Sequence, residues 1–205
     1  MSIFDPRYRD KHVSARIARA LFRTSQAIKN MLWDECKLNS LTPAQIQTLL
    51  FLRYIRPDSA TVNTLSRSLS STPATASGVL DALQKKCLVK RKRKESDRRV
   101  VSLSLTYKGA NTMQKLEGLG YELQKIIEEL TVEEQEVLLS SLSKIERLLK
   151  EKGCVLVMET CMTCCYFRPN IHPGVEKPHY CKLFNIDLGE DEIYRECPEY
   201  SELKM

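Results

Sequence analysis

The sequence predicts a mostly α-helical chain with one small β-hairpin and a distinct cysteine-rich end. Three observations carry this expectation. Apolar residues recur at helical intervals over most of residues 12–153. Residues 61–105 read as a short helix, a turn, a capped second helix and a basic hairpin. The last stretch, residues 154–205, holds six of the eight cysteines and two of the three histidines. The fold class that follows is a winged helix-turn-helix flanked by long dimerisation helices, with a small Cys-rich tail. A boundary is expected at residue 153.

Taken in order, residues 1–10 predict a loose arm. From His12 to about Leu38, Val13, Ile17, Leu21, Ile28 and Leu32 step along one side of a long helix, with Trp33 and Cys36 packed near its end. His12 is expected at the surface. Asn39 and Ser40 interrupt the pattern. Thr42 and Gln45 then form a capping box around Pro43, which suits a first helical position because it lacks an amide donor. The helix they start should run to about Arg56 and bury Ile46, Leu49, Leu50 and Ile55. Pro57-Asp58-Ser59 reads as a turn.

Val62, Leu65 and Leu69 predict a short amphipathic helix over 62–70. Thr72 is a good N-cap and Pro73 a good first residue for the next helix, which should reach about Lys86 with Ala76, Val79, Leu80 and Leu83 inward. Its start carries only small or hydroxylated side chains: Ser71, Thr72, Ala74, Thr75, Ser77 and Gly78. Such a helix start can approach a nucleic-acid groove closely and offer its amides to phosphate. Residues 88–93 and 100–105 alternate as half-buried strands do. Between residues 85 and 99 stand nine Lys or Arg against Glu95 and Asp97, a balance of +7 where the whole chain carries +6. The basic charge is therefore focused on one hairpin, as phosphate neutralisation requires. Lys90, Lys92, Lys94, Arg98 and Arg99 are the candidate contacts.

These residues are similar to the multiple-antibiotic-resistance regulator (MarR) family over about residues 12–150. The resemblance rests on LTPAQIQTLLFL, STPATASGVLDALQKKCLVKRK, DRR and LSLTYKGANTM. It implies that Arg99 enters the minor groove while Asp97 braces the wing arginines. It also implies dimerisation through the outer helices, and small aromatic or phenolic effectors in the crevice between dimer and DNA-binding regions. The sequence names no such effector. Cys87 departs from the glycine common there. Glycine suits a left-handed helix end and cysteine suits it less, so the exit is expected to be strained or differently shaped, with Cys87 itself a small buried thiol.

After the hairpin, Thr106 should cap one helix from Tyr107 to about Leu130. Thr131 and Glu134 make a second capping box, and a last helix runs to about Lys152 with Leu138, Leu142, Ile145 and Leu149 on one stripe and Gly153 at its end. These helices carry more apolar surface than the winged core can cover. A second copy is the expected cover, and a two-fold dimer would read a near-palindromic operator.

The tail buries too little to fold unaided, so a metal staple is physically reasonable. Cys161 and Cys164 can place two thiolates in one turn; Cys181 follows after sixteen residues and Cys197 after fifteen more. Four thiolates suit either a tetrahedral zinc ion or a [4Fe-4S] iron–sulfur cluster. The spacing is similar to that of high-potential iron–sulfur proteins, and Tyr166, Phe167, Tyr180, Phe184 and Tyr194 could shield a cluster. Cys165 could replace Cys164 or stand as a free thiol. Cys154 reads as a packed thiol, and His172 and His179 as loop histidines rather than ligands. The acidic end, with Asp187, Glu190, Asp191, Glu192, Glu196, Glu199 and Glu202 against Arg195, disfavours DNA contact by the tail.

The reading that follows is a DNA-binding, homodimeric transcriptional regulator, a repressor by expectation, whose tail senses redox state or metal. The competing reading is an electron-transfer iron–sulfur module whose winged helix docks a protein partner. An enzyme is not expected: there is no Gly-rich phosphate loop and no nucleophile or zinc-protease motif. With no secretory leader and no apolar run of spanning length, a cytoplasmic chain with reduced thiols is expected.

Overall fold

The computed structural model describes residues 2–93, 101–116 and 118–202. The arm expected to be loose contains a one-turn helix, α1 (Pro6–Arg9), capped by Asp5, whose carboxylate accepts from the Arg7 N–H at 2.9 Å. Phe4 stands edge-on to Phe22 with ring centroids 5.4 Å apart, which lays the arm on the next helix. That helix, α2 (Val13–Asn39), ends where Ser40 turns left-handed at φ 53°. α3 (Pro43–Tyr54) begins with the expected capping box of Thr42 and Gln45. Pro57–Ser59 forms a 3-10 turn.

α4 (Val62–Ser68) and α5 (Pro73–Lys85) follow, with Thr61 and Thr72 as hydroxyl caps. β1 (Val89–Arg93) and β2 (Val101–Leu105) pair antiparallel, Val89 opposite Leu105 and Arg91 opposite Leu103. Ile46, Leu49, Ile55, Leu65, Leu80 and Leu83 are fully buried and are joined by Leu103, Met113 and Leu116. Each such side chain contributes about 1.5–3 kcal/mol by leaving water. Leu50, expected inside, is only half-buried.

The single helix expected after the wing is two. α6 (Tyr107–Lys115) stops at Leu116, and α7 (Tyr121–Glu128) starts from Gly120 at φ +95°. A residue in that conformation cannot continue a right-handed helix, and Gly120 adopts it without a Cβ clash. Gly109 allows α6 to touch the exit of α5: a Cβ there would lie 2.0 Å from the Leu88 carbonyl oxygen. α8 (Val132–Glu151) carries the expected capping box of Thr131 and Glu134, and Gly153 at φ +69° closes it.

Neither α7 nor α8 buries a side chain. Leu138, Leu148 and Leu149 of α8 and Val13, Ile17, Leu21 and Ile28 of α2 are exposed in the single chain. Trp33, expected to be packed, is 49% exposed, because nothing among the described residues lies over that side of α2. Cys36 is buried as expected. Among the described residues no helix is long and apolar enough to cross a membrane.

The tail forms a small antiparallel sheet of β3 (Phe167–Arg168), β4 (His179–Cys181) and β5 (Ile186–Leu188), then a one-turn helix, α9 (Glu190–Ile193). Its own core is small: Cys161, Cys181, Leu188 and Ile193, flanked by Tyr166, Phe167 and Ile186. Two of its contacts with the rest of the chain are hydrogen-bonded, beside the packing of Met158 on the winged core. Glu196 lies beside Ile55 as a parallel bridge, with Arg56 N–H to Glu196 O at 3.0 Å and Glu196 N–H to Tyr54 O at 2.9 Å. At the other end, Lys150 of α8 donates to the Tyr200 carbonyl at 2.5 Å and Arg147 lies 4.0 Å from Glu202.

Candidate functional site

Two places draw functional side chains together. The first is the start of α5 beside β1. Thr72, Ala74, Thr75 and Gly78 are exposed there, and the Thr72 hydroxyl accepts from the Thr75 N–H at 3.2 Å. That bond organises the first turn and leaves a small, hydroxyl-bearing helix end facing outward. Ser71 sits on the preceding turn with its hydroxyl oxygen enclosed and without a hydrogen-bond partner. Ser77 is half-buried and turned toward the wing. Lys90 and Lys92 are exposed on β1. Lys94, Asp97, Arg98 and Arg99 lie outside the described residues.

The basic run is not all surface charge. Arg91 reaches back to α5, placing Nη1 2.7 Å from the Asp81 carboxylate and donating from Nη2 to the Ser77 carbonyl at 3.0 Å. Arg91 thus ties the wing to the second helix of the helix-turn-helix. Strand alternation carried the signal, since Arg91 shares the face of buried Val89. Lys86 is likewise engaged, donating to the Ser40 carbonyl at 2.6 Å and to Gln45 Oε1 at 3.2 Å.

Cys87 adopts the left-handed conformation, φ 58°, in which glycine is usual. Cys87 N–H bonds Gln84 O at 2.8 Å and Leu88 N–H bonds Leu83 O at 3.0 Å, so the α5 exit is a regular Schellman closure. The thiol is exposed rather than buried, because Leu88 and not Cys87 turns into the core.

The second place is a cavity in the tail. Cys161, Cys164, Cys181 and Cys197 all line it, with Tyr166, Phe167, Phe184 and Arg56. The atom-free space is about 310 Å³, part of it open to solvent. Cys161 opens a 3-10 turn, and the Cys164 N–H bonds back to its carbonyl at 3.0 Å, giving the tight turn that the short spacing predicts. Cys181 ends β4 opposite Phe167 and Ile186. Cys197 is held by its N–H to the Glu159 carbonyl at 3.0 Å. Three of the four are buried and Cys164 is half-buried.

Burial pushes the Cys161 thiol up to about 11, against the opposing pull of the Arg56 charge. Cys197 is raised for the same first reason. Thiols so placed stay protonated at neutral pH and release protons when a metal binds. The four line the same cavity, but among the described residues no group of three or more Cys, His, Asp or Glu is drawn to the spacing of a single bound ion.

The remaining candidates fall outside this cavity. Cys165 is half-buried, with its N–H on the Ser201 carbonyl at 2.8 Å, and Cys164 takes the lining position. Cys154, expected to be packed, is exposed at the exit of α8, where the chain turns off the helix without cover. His179 is a buried strand residue rather than a loop histidine: its Nδ1 accepts from Asn170 N–H at 3.1 Å, and its Nε2 lies 3.2 Å from the Glu190 carboxylate, outside hydrogen-bonding alignment. His172 is exposed, 3.6 Å from Asp187. Tyr166, Phe167 and Phe184 line the cavity as expected of shielding aromatics, whereas Tyr180 and Tyr194 do not. Arg56 was not legible as a member of this site, because no spacing rule links it to the cysteines.

The MarR family profile matches residues 41–101. No curated protein sequence matches the chain. Among solved structures, the MepR–DNA complex of S. aureus is 27% identical with a TM-score of 0.58, over 64% of this chain and 97% of that one. The transcriptional repressor CouR bound to a 23-mer DNA duplex is 28% identical with a TM-score of 0.55, over 65% and 94%. A mutant MarR of E. coli complexed with operator DNA is 25% identical with a TM-score of 0.54, over 63% and 93%. By sequence over residues 41–101, and by fold over 64% of its length, this chain is similar to the MarR family of winged-helix regulators.

Proposed function

We propose that the protein is a DNA-binding transcriptional regulator, acting as a homodimeric repressor on a near-palindromic operator. One observation carries it: α5, with its capped, small-residue start, is tied by Arg91 to the basic strand β1. A helix end of small, hydroxyl-bearing side chains and an adjacent cationic strand meet the two demands of duplex recognition, groove entry and phosphate neutralisation. The DNA complexes of the similar proteins support the same reading. The exposed apolar sides of α2 and α8 support the dimer, whose two reading helices would face half-sites about one DNA turn apart.

The four-cysteine cavity is proposed as a metal centre, an iron–sulfur cluster ahead of a zinc ion, held by Cys161, Cys164, Cys181 and Cys197. Four sulfur donors in a pocket walled by aromatic rings suit either group. When bound, it would supply a redox- or metal-responsive crosslink of the tail. This chain's own residues then set the consequence. The tail touches α3 just ahead of the helix-turn-helix and α8 in the proposed dimer region, so its order bears on the placement of both.

A titration of duplex DNA by fluorescence anisotropy across salt concentrations tests the DNA reading. Binding should weaken steeply as salt rises. Arg99→Ala should lower affinity by about 1–3 kcal/mol and relax A·T preference beside each half-site. Absence of salt-sensitive binding would favour the electron-transfer alternative. Wild-type affinity in Arg99→Ala would remove the wing from the groove. Metal analysis and an absorption spectrum of anaerobically purified protein test the centre and distinguish iron–sulfur from zinc.

A further inference from the structure

Arg56 belongs by sequence to the segment between α3 and the helix-turn-helix, yet its side chain lines the cysteine cavity. It is 7% exposed, and its Nη1 has no hydrogen-bond partner among the described residues. The guanidinium lies over the Phe184 ring, 5.1 Å from the centroid. Glu199 also lines the cavity, and Glu192 is close enough to feel the Arg56 charge, but neither closes an ion pair with it among the described residues. A buried cation left in this way is costly unless something anionic completes its surroundings. The four sulfurs line the cavity with it, and its charge acts on both Cys161 and Cys197.

A divalent ion or a doubly charged cluster held by four thiolates keeps two excess negative charges. We propose that Arg56 is the built-in counter-charge of an anionic four-thiolate metal centre in this cavity, with Nη1 as the donor available to a sulfur atom of that centre. Arg56 is a positioning residue, not a ligand, and its role rests on the four-thiolate reading above. Its backbone is fixed from the tail side by the 3.0 Å bond to Glu196, and Pro57 begins the turn that leads into α4. The centre thereby acquires an electrostatic tie to the DNA-reading region.

The test compares full-length wild type, Arg56→Met and Arg56→Lys, each reconstituted anaerobically with iron and sulfide and, separately, with Zn²⁺. Metal per chain, the sulfur-to-metal charge-transfer band and competition with a chromophoric chelator are read. Arg56→Met should lose about 10- to 100-fold in metal affinity, the usual range for a partner outside the ligand set, and shift the iron–sulfur band. Arg56→Lys keeps the charge and should recover much of the affinity. Thermal unfolding adds a sign test. Arg56→Met should raise the melting temperature of the metal-free protein, by removing an unpaired buried charge, and lower that of the loaded protein. A merely structural arginine would move both in the same direction, and that result overturns the assignment. So does an Arg56→Met protein that holds metal with wild-type affinity and band. A wild type that takes up neither metal overturns the four-thiolate reading itself, and Arg56 with it.

Discussion

The winged core and the cysteine tail are stabilised by different means. In the core, aliphatic side chains from α3, α4, α5, α6 and both strands of the wing meet in one cluster. In the tail, the buried cluster is four residues, and two of them are cysteines. The core can be held by leaving water alone, whereas a segment that buries so little needs a crosslink. Burial specifies a shape without specifying a chemistry. On the four-thiolate proposal the tail reverses this: its shape would depend on what its sulfurs hold.

The sharpest way to break this contrast is to remove one donor. Cys181→Ser should abolish metal retention and open the tail to limited proteolysis, while residues 41–93 keep their hydrogen-exchange protection. Equal loss of protection in both regions would mean that they fold as one unit. Leu80→Ala is the reciprocal change. Leu80 is fully buried, so truncation should cost about 2–5 kcal/mol in denaturant unfolding of the core. Metal per chain in the remaining native protein should not change.

The smallest effect sharpens the picture of the tail. The Gly189 N–H holds the Glu192 carboxyl below the ordinary carboxylate range, with Lys177 adding to it. A carboxyl depressed on folding contributes stability that is present above its unfolded pKa and lost as pH falls through the folded one. Its side chain is 46% exposed, so solvent limits the contribution to about 0.5 kcal/mol. Hydrogen exchange at residues 189–193 should quicken below about pH 4, and Glu192→Gln should flatten that dependence.

Legibility followed the same division. Thr42, Thr72 and Thr131 announced their helices because a hydroxyl cap acts on the next few residues and needs no tertiary context. The split between α6 and α7 was missed because Gly120 shows its left-handed turn only in three dimensions. The four cavity cysteines were legible from spacing, since nearby sulfurs in a short segment have few places to go. Arg56 and Arg91 were not named, because each acts through a partner distant in sequence: the cysteines for one, Asp81 for the other. Trp33 and Cys154 were expected inside because they are apolar, but the described residues of a single chain offer them no cover.

The double docking of the tail has a mechanical consequence. α8 buries nothing of its own. One tie between it and α3 is the span from Tyr200 at one end to Glu196 at the other. Such a span is a strut closing a triangle, and the length of a strut sets the opposite angle. Shortening or slackening it by the width of one side chain would swing the far end of α8 through several times that distance.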